Sequence, residues 1–195
     1  MEEYKELISF ERLKEFIKGR GMKLSYVSEK TCGRSDYLSY MLCTKNLLKT
    51  DKIASICAFF KCRPSDIMEF YGFEIKEYFN KEPLYIPPEN PEGVVTYKPF
   101  WDFMASYQMS HPDKTANDLF NIVGPLREMS DNTKVRIAAS IKDKYGTDVD
   151  FTSEGCIFSE ASRTKIRHDK PVSVRAIYGI CRALGCSPDW VMSYK

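Results

Sequence analysis

Histidine and tryptophan are scarce, with two of each in 195 residues. Nowhere does the chain carry Gly-x-Gly-x-x-Gly, a P-loop, His-Glu-x-x-His or Gly-x-Ser-x-Gly. Those gaps remove the sequence signatures of dinucleotide binding, nucleoside triphosphate binding, zinc proteolysis and α/β-hydrolase chemistry. His111 and His168 have no companion at metal-ligand or catalytic spacing, and the acidic residues are scattered. No catalytic residue, metal or cofactor is therefore expected. No apolar run reaches the roughly 18 residues that crossing a bilayer requires, and the opening Met-Glu-Glu-Tyr-Lys lacks signal-peptide character. A cytoplasmic protein with no membrane partner is expected. Seven cysteines, an odd number, then read as reduced thiols and not as a disulfide framework.

What the chain does have is enough apolar material for a packed core: 43% hydrophobic residues beside 29% charged ones. Its length allows one large domain or two small ones. The net charge of +2 conceals a pattern. Residues 1–70 carry 13 basic and 10 acidic side chains, residues 71–131 carry 5 and 10, and residues 132–195 carry 11 and 7. Two basic regions flank an acidic one, which suits a polyanionic partner better than one neutral surface would.

Pro83, Pro87, Pro88, Pro91 and the closing Gly93 mark a boundary. Proline removes backbone donors and favours extended chain. The chain divides on this reading into an N-terminal domain over 1–79, a stiff linker over 80–94 and a second domain over 95–195. Fully extended, the linker would reach roughly 40 Å, enough to hold two bodies apart.

Both outer regions read as all-α. Leu13, Phe16 and Ile17 share a helical face with Ser9 as N-cap, and a second helix runs from Leu24 or Ser25 to Lys30. A break at Thr31-Cys32-Gly33 precedes a third helix from Ser35 that turns Leu38, Met41 and Leu42 inward. Ile53, Ile56, Cys57 and Phe60 mark a fourth, and Ile67, Met68 and Phe70 a fifth after Pro64. Residues 53–70 align without a gap on 177–194, an offset of 124, with Ile53/Ile177, Ile56/Ile180, Cys57/Cys181, Cys62/Cys186, Pro64/Pro188 and Met68/Met192 identical. Ile8-Ser9-Phe10 matches Val95-Thr96-Tyr97 at an offset of 87, so the second copy holds 37 additional residues. A rival register matches Arg12, Leu13, Ile17 and Lys18 to Arg136, Ile137, Ile141 and Lys142; the first is preferred because it uses the residues directly after the linker. In either register Ser130 to Tyr145 reads as a helix stopped by Gly146.

The run from Ile8 to Phe70 resembles the five-helix Cro/phage-repressor type of helix-turn-helix domain, often called XRE-like. Arg20-Gly21-Met22, the helix from Leu24 to Lys30, the Thr31-Cys32-Gly33 turn, Ser35 to Leu42, Ile53 to Phe60 and Cys62 to Ile67 carry the likeness. The C-terminal stretches Phe158 to Arg167, Pro171 to Val174 and Ile177 to Leu184 resemble a divergent second copy. The resemblance implies two small repressor-like domains in tandem. It also implies double-stranded DNA as partner, dimerisation on near-palindromic sites, and a phage, plasmid or bacterial repressor acting by operator occupancy.

In such a fold one helix enters a major groove about 12 Å wide and a second braces it against the backbone. Arg34, Ser35, Asp36, Tyr37, Ser39 and Tyr40 would form the reading face, with Lys23, Lys45 and Lys49 on phosphates. In the second copy the matching face would be Ser159, Ser162, Lys165, Arg167 and Lys170. Tyr37 and Tyr40 also suit helix packing, and that alternative stays open. Cys57-x₄-Cys62 and Cys181-x₄-Cys186 offer enough thiols for a tetrahedral metal site, but two of them fall on apolar stripes, which favours small buried hydrophobes. A second functional reading keeps the fold and uses the second domain to grip a protein, as phage inhibitors of the anti-CRISPR kind do. The acidic middle and the 37 extra residues motivate it.

Overall fold

The computed structural model describes residues 4–44, 46–83, 85–110 and 160–195. In the N-terminal half, α1 (Tyr4–Leu7) and β1 (Ile8–Ser9) lead into α2 (Glu11–Gly19), α3 (Leu24–Cys32) and α4 (Tyr37–Cys43). α5 (Thr50–Phe60), α6 (Pro64–Ile67) and β2 (Glu69–Phe70) complete it. Helical spacing of apolar residues explains the packing: Leu13 and Ile17 of α2, Val27 of α3, Leu38 of α4, and Ile53, Ile56, Cys57 and Phe60 of α5 are all buried.

Local expectations change at four places. The break opens only at Gly33, because α3 continues through Thr31 and Cys32, and α4 begins at Tyr37 and not at Ser35, which lies in the turn before it. α2 begins after Phe10, which occupies the N-cap position without a side-chain bond, while Ser9 Oγ accepts the Glu11 amide at 3.2 Å. Phe70 is a strand residue: α6 ends at Ile67, Met68 after it is extended, and Phe70 pairs with Ile8 in an antiparallel ladder beside Ser9 and Glu69. A two-residue strand leaves no alternation for a sequence pattern to reveal.

The C-terminal half contains β3 (Val95–Thr96), α7 (Lys98–Ser110), α8 (Glu160–Arg167), α9 (Val174–Leu184), a 3₁₀ turn at Pro188–Trp190 and β4 (Ser193–Tyr194). The helix expected over 130–145 and the rival repeat register fall outside the described residues. Val95 pairs with Tyr194 and Thr96 with Ser193, at the same offsets from Ile8–Phe70 and Ser9–Glu69 as in the sequence. α9 has the same 11-residue length as α5. Each ends on a left-handed residue, Lys61 at φ 53° and Gly185 at φ 70°. In each, the next amide, Cys62 or Cys186, donates back to the Cys57 or Cys181 carbonyl at 3.0 Å.

That helix ending accounts for the cysteine spacing. One cysteine lies in the last turn of the helix and the other directly follows the cap, so each pair packs together in the interior. Burial, and then the hydrogen bond from the partner thiol, push Cys57 and Cys181 well above the ordinary thiol pKa. They are neutral thiols that act as small hydrophobes.

The buried apolar side chains of both halves form one cluster. Lys49 and Ser173 make an isolated antiparallel bridge, and the Thr50 amide donates to the Val172 carbonyl at 3.0 Å. Thr50 Oγ1 accepts the Val172 amide at 2.9 Å and lies 2.9 Å from the buried phenol of Tyr97, which donates to the Lys170 carbonyl at 3.1 Å. Elsewhere in the core, Phe79 stacks edgewise on Trp190 with ring centroids 5.2 Å apart, and Trp190 Nε1 donates to the Phe79 carbonyl at 3.1 Å.

The proline-rich stretch is not a spacer between separated bodies. Tyr85 Oη donates to the Tyr194 carbonyl at 3.0 Å, Glu92 and Val94 amides both donate to the Lys195 carbonyl at 3.1 Å, and Ser55 Oγ donates to the Gly93 carbonyl at 3.3 Å. It lies against both halves because α5 and α9 are apolar on several sides, and only mutual contact covers them.

Ser65 and Asp189 form the polar part of this junction. The Ser65 amide and hydroxyl donate to the two Asp189 oxygens at 2.9 and 2.5 Å. Asp189 is 8% exposed, and burial raises its pKa although the Ser65 bonds act in the opposite direction. A raised carboxyl pKa means that its contribution to stability is full below the unfolded value of about 3.9 and is lost as pH rises through the folded value. Asp189→Asn removes that titration. Denaturant midpoints measured from about pH 4 to 7 should therefore shift in favour of Asp189→Asn as pH increases; two parallel curves would contradict the assignment.

Candidate nucleic-acid interface

α3 and α4 are consecutive helices joined by a tight turn whose geometry traces to four residues. Gly33, at φ 77°, ends α3 in the left-handed conformation that glycine adopts without strain, and its amide donates to the Glu29 carbonyl at 3.1 Å. Val27 and Leu38 anchor the two helices in the core. Ser28, fully buried on α3, donates its hydroxyl to the Arg34 carbonyl and accepts the Leu38 amide at 3.0 Å. The first turn of α4 is thus capped by a side chain of α3, while Asp36, at its own N-cap position, makes no such bond. The bracket holds the two axes at one angle.

Outward from this bracket, Ser39, Tyr40, Cys43 and Thr44 form a continuous exposed strip on α4 and its end, with Ser35 and Asp36 ahead of it. Tyr40 is 60% exposed. Tyr37 differs: its ring is half-buried against the core, and burial, with Cys32 close by, raises its phenol pKa. Arg34 and Asp36 are both exposed and grip each other, Nε to Oδ1 at 3.2 Å and Nη2 to Oδ2 at 2.9 Å. The Arg34 hydrogen bond lowers the Asp36 carboxyl pKa, and Asp36 raises that of Arg34. Base or phosphate contact by either one must therefore compete with the other.

Lys23 precedes α3 and Lys49 precedes α5, both exposed. Lys45 lies outside the described residues. Cys43 and Thr44 were missed in the sequence, although i, i+4 spacing from Ser39 and Tyr40 places them on the same face. Tyr26 and Lys30 on α3 were also missed; Tyr26 is 48% exposed, and Lys30 Nζ stands 5.8 Å from its ring.

Residues 12–72, from the start of α2 to just past β2, match the family model of the Cro/C1-type HTH DNA-binding domain. This stretch is a Cro/C1-type helix-turn-helix domain. No curated protein and no solved structure matches the chain. In the Cro/C1-type domain α3 and α4 are the two helices of the motif, and the strip from Ser39 to Thr44 belongs to the second of them. No helix among the described residues is long and apolar enough to cross a membrane.

The second set of expected contacts lies on and after α8. Ile166 anchors that helix in the core. Lys165, Arg167, His168 and Lys170 are exposed and Ser162 is half-buried; Ser159 lies outside the described residues. Asp169, at φ 50°, interrupts this basic run. Its carboxylate accepts the Tyr97 amide at 3.0 Å and the Lys195 ammonium at 2.8 Å.

Removing the bracket is the direct test of how α4 is held. Ser28→Ala leaves the Arg34 carbonyl and Leu38 amide without their shared partner, so unfolding free energy should fall by about 1–3 kcal/mol. Chemical denaturation measures the loss, and an unchanged midpoint would show that α4 is held by apolar packing alone.

Proposed function

We propose that the protein is a sequence-specific DNA-binding regulator that represses by occupying its operator. The observation that carries this reading is the exposed strip on α4, held outward by the Ser28 bracket within a Cro/C1-type domain. An α-helix about 10–12 Å across fits a major groove about 12 Å wide. Ser39, Tyr40 and Thr44 offer hydroxyl donors and acceptors to base edges, and the Tyr40 ring offers an apolar face to a thymine methyl. Lys23 and Lys49 supply the salt-dependent phosphate contacts that fix register without reading sequence. No bond is made or broken in this mechanism. A bound regulator excludes polymerase from the same duplex.

Gel-shift titrations from about 50 to 200 mM salt test the reading. Affinity should fall steeply, with log K linear in log salt. Tyr40→Ala with Ser39→Ala should cost about 1–3 kcal/mol on the selected site and little on random duplex. Lys23→Ala should weaken both equally and reduce the salt slope by about 0.9. Salt-independent binding, or no sequence selected from a random pool, would exclude sequence-specific regulation.

A further inference from the structure

We infer that this chain contains its own dimer: the described part of the C-terminal half repeats the N-terminal half, with α8 in the place of α4. α4 and α8 then read two unequal half-sites of one operator from a single polypeptide. The inference rests on the DNA-binding reading above and adds the form of the site.

The first support is that the two halves obey one numerical rule. Strand pairs, the α5 and α9 helices, their left-handed ends and the bonds that close them all recur at offsets of 87 and 124. The second support is how the halves touch. Lys49 bridges Ser173, and Ser65 binds Asp189; within each pair the two residues are 124 positions apart. In a two-fold arrangement a residue meets its own counterpart only at the axis. Two such meetings locate an axis between the halves.

Rotation about an axis leaves height along it unchanged. α4 ends at Cys43 and α8 at Arg167, each six residues before its contact at the axis, Lys49 or Ser173. The two helices therefore end at the same level and face the same end of the molecule. Six residues extend at most about 22 Å, so the helix ends lie no more than about 50 Å apart, a range that includes the about 34 Å between half-sites one helical turn apart. The shared core holds that separation constant.

The two faces differ in chemistry. The α4 strip is hydroxylic and aromatic, with Ser39, Tyr40 and Thr44; α8 and the turn after it expose Lys165, Arg167 and Lys170. A homodimer reads one sequence twice, whereas these faces demand an asymmetric site. One half is read mainly through base edges, and the other leans more on phosphate.

Selection from a random duplex pool with the full chain, followed by mass photometry and hydroxyl-radical footprinting of the complex, tests this. One chain per duplex is expected, protecting two unlike half-sites about 10 bp apart. Inserting about 5 bp between them turns one half-site to the opposite side of the duplex and should reduce binding at least tenfold. Lys165→Ala with Lys170→Ala changes two exposed side chains, so the thermal midpoint should stay in place. Protection should weaken in one half-site only, and the salt slope should fall by about two. Two chains on a symmetric palindrome, or unaltered protection of both halves in the double variant, would overturn the inference and leave DNA binding standing. Absence of binding to any duplex would remove both.

Discussion

The junction between the halves governs the rest of the structure. α5 and α9 are apolar on more sides than their own halves can cover, and the chain meets that excess by packing the halves onto one another. A backbone bridge at Lys49 and Ser173 aligns them, while the polar knot of Thr50, Tyr97 and the 170–172 backbone satisfies the groups that the contact buries. The counterparts of Thr50 and Tyr97 are Val174 and Phe10, so the polar groups come from one position of each matched pair.

Rigidity at the junction passes outward to α4. α5 enters the junction at Thr50, and α4 precedes it by a short connection, so anything that fixes α5 limits where α4 can point. Ser28 completes the restraint from the other side. A helix held at both ends loses little conformational freedom on binding, which in the proposed role favours sequence discrimination over mere adhesion to a polyanion.

Much of this was legible in residue order. The i, i+3, i+4 and i+7 spacing of Ile53, Ile56, Cys57 and Phe60 marked α5, and Gly33 marked the end of α3. The short strands were not legible, because two residues carry no period. The Arg34–Asp36 pair was not foreseen, since residues two apart in sequence do not face each other on a helix and meet here only because they lie in a turn. Tyr37 and Tyr40 looked alike, yet one packs half-buried beside Cys32 and the other projects outward.

Local chemistry was thus enough to place the main helices of the Cro/C1-type stretch and to match α5 with α9, because those depend on spacing along the chain. The docking of those halves was a matter for the tertiary structure. Proline content suggested stretched, separating chain, but proline only limits the backbone dihedrals and removes donors. Where the segment lies depends on apolar surface contributed by residues more than a hundred positions apart, such as Phe79 and Trp190, and no local pattern encodes that pairing.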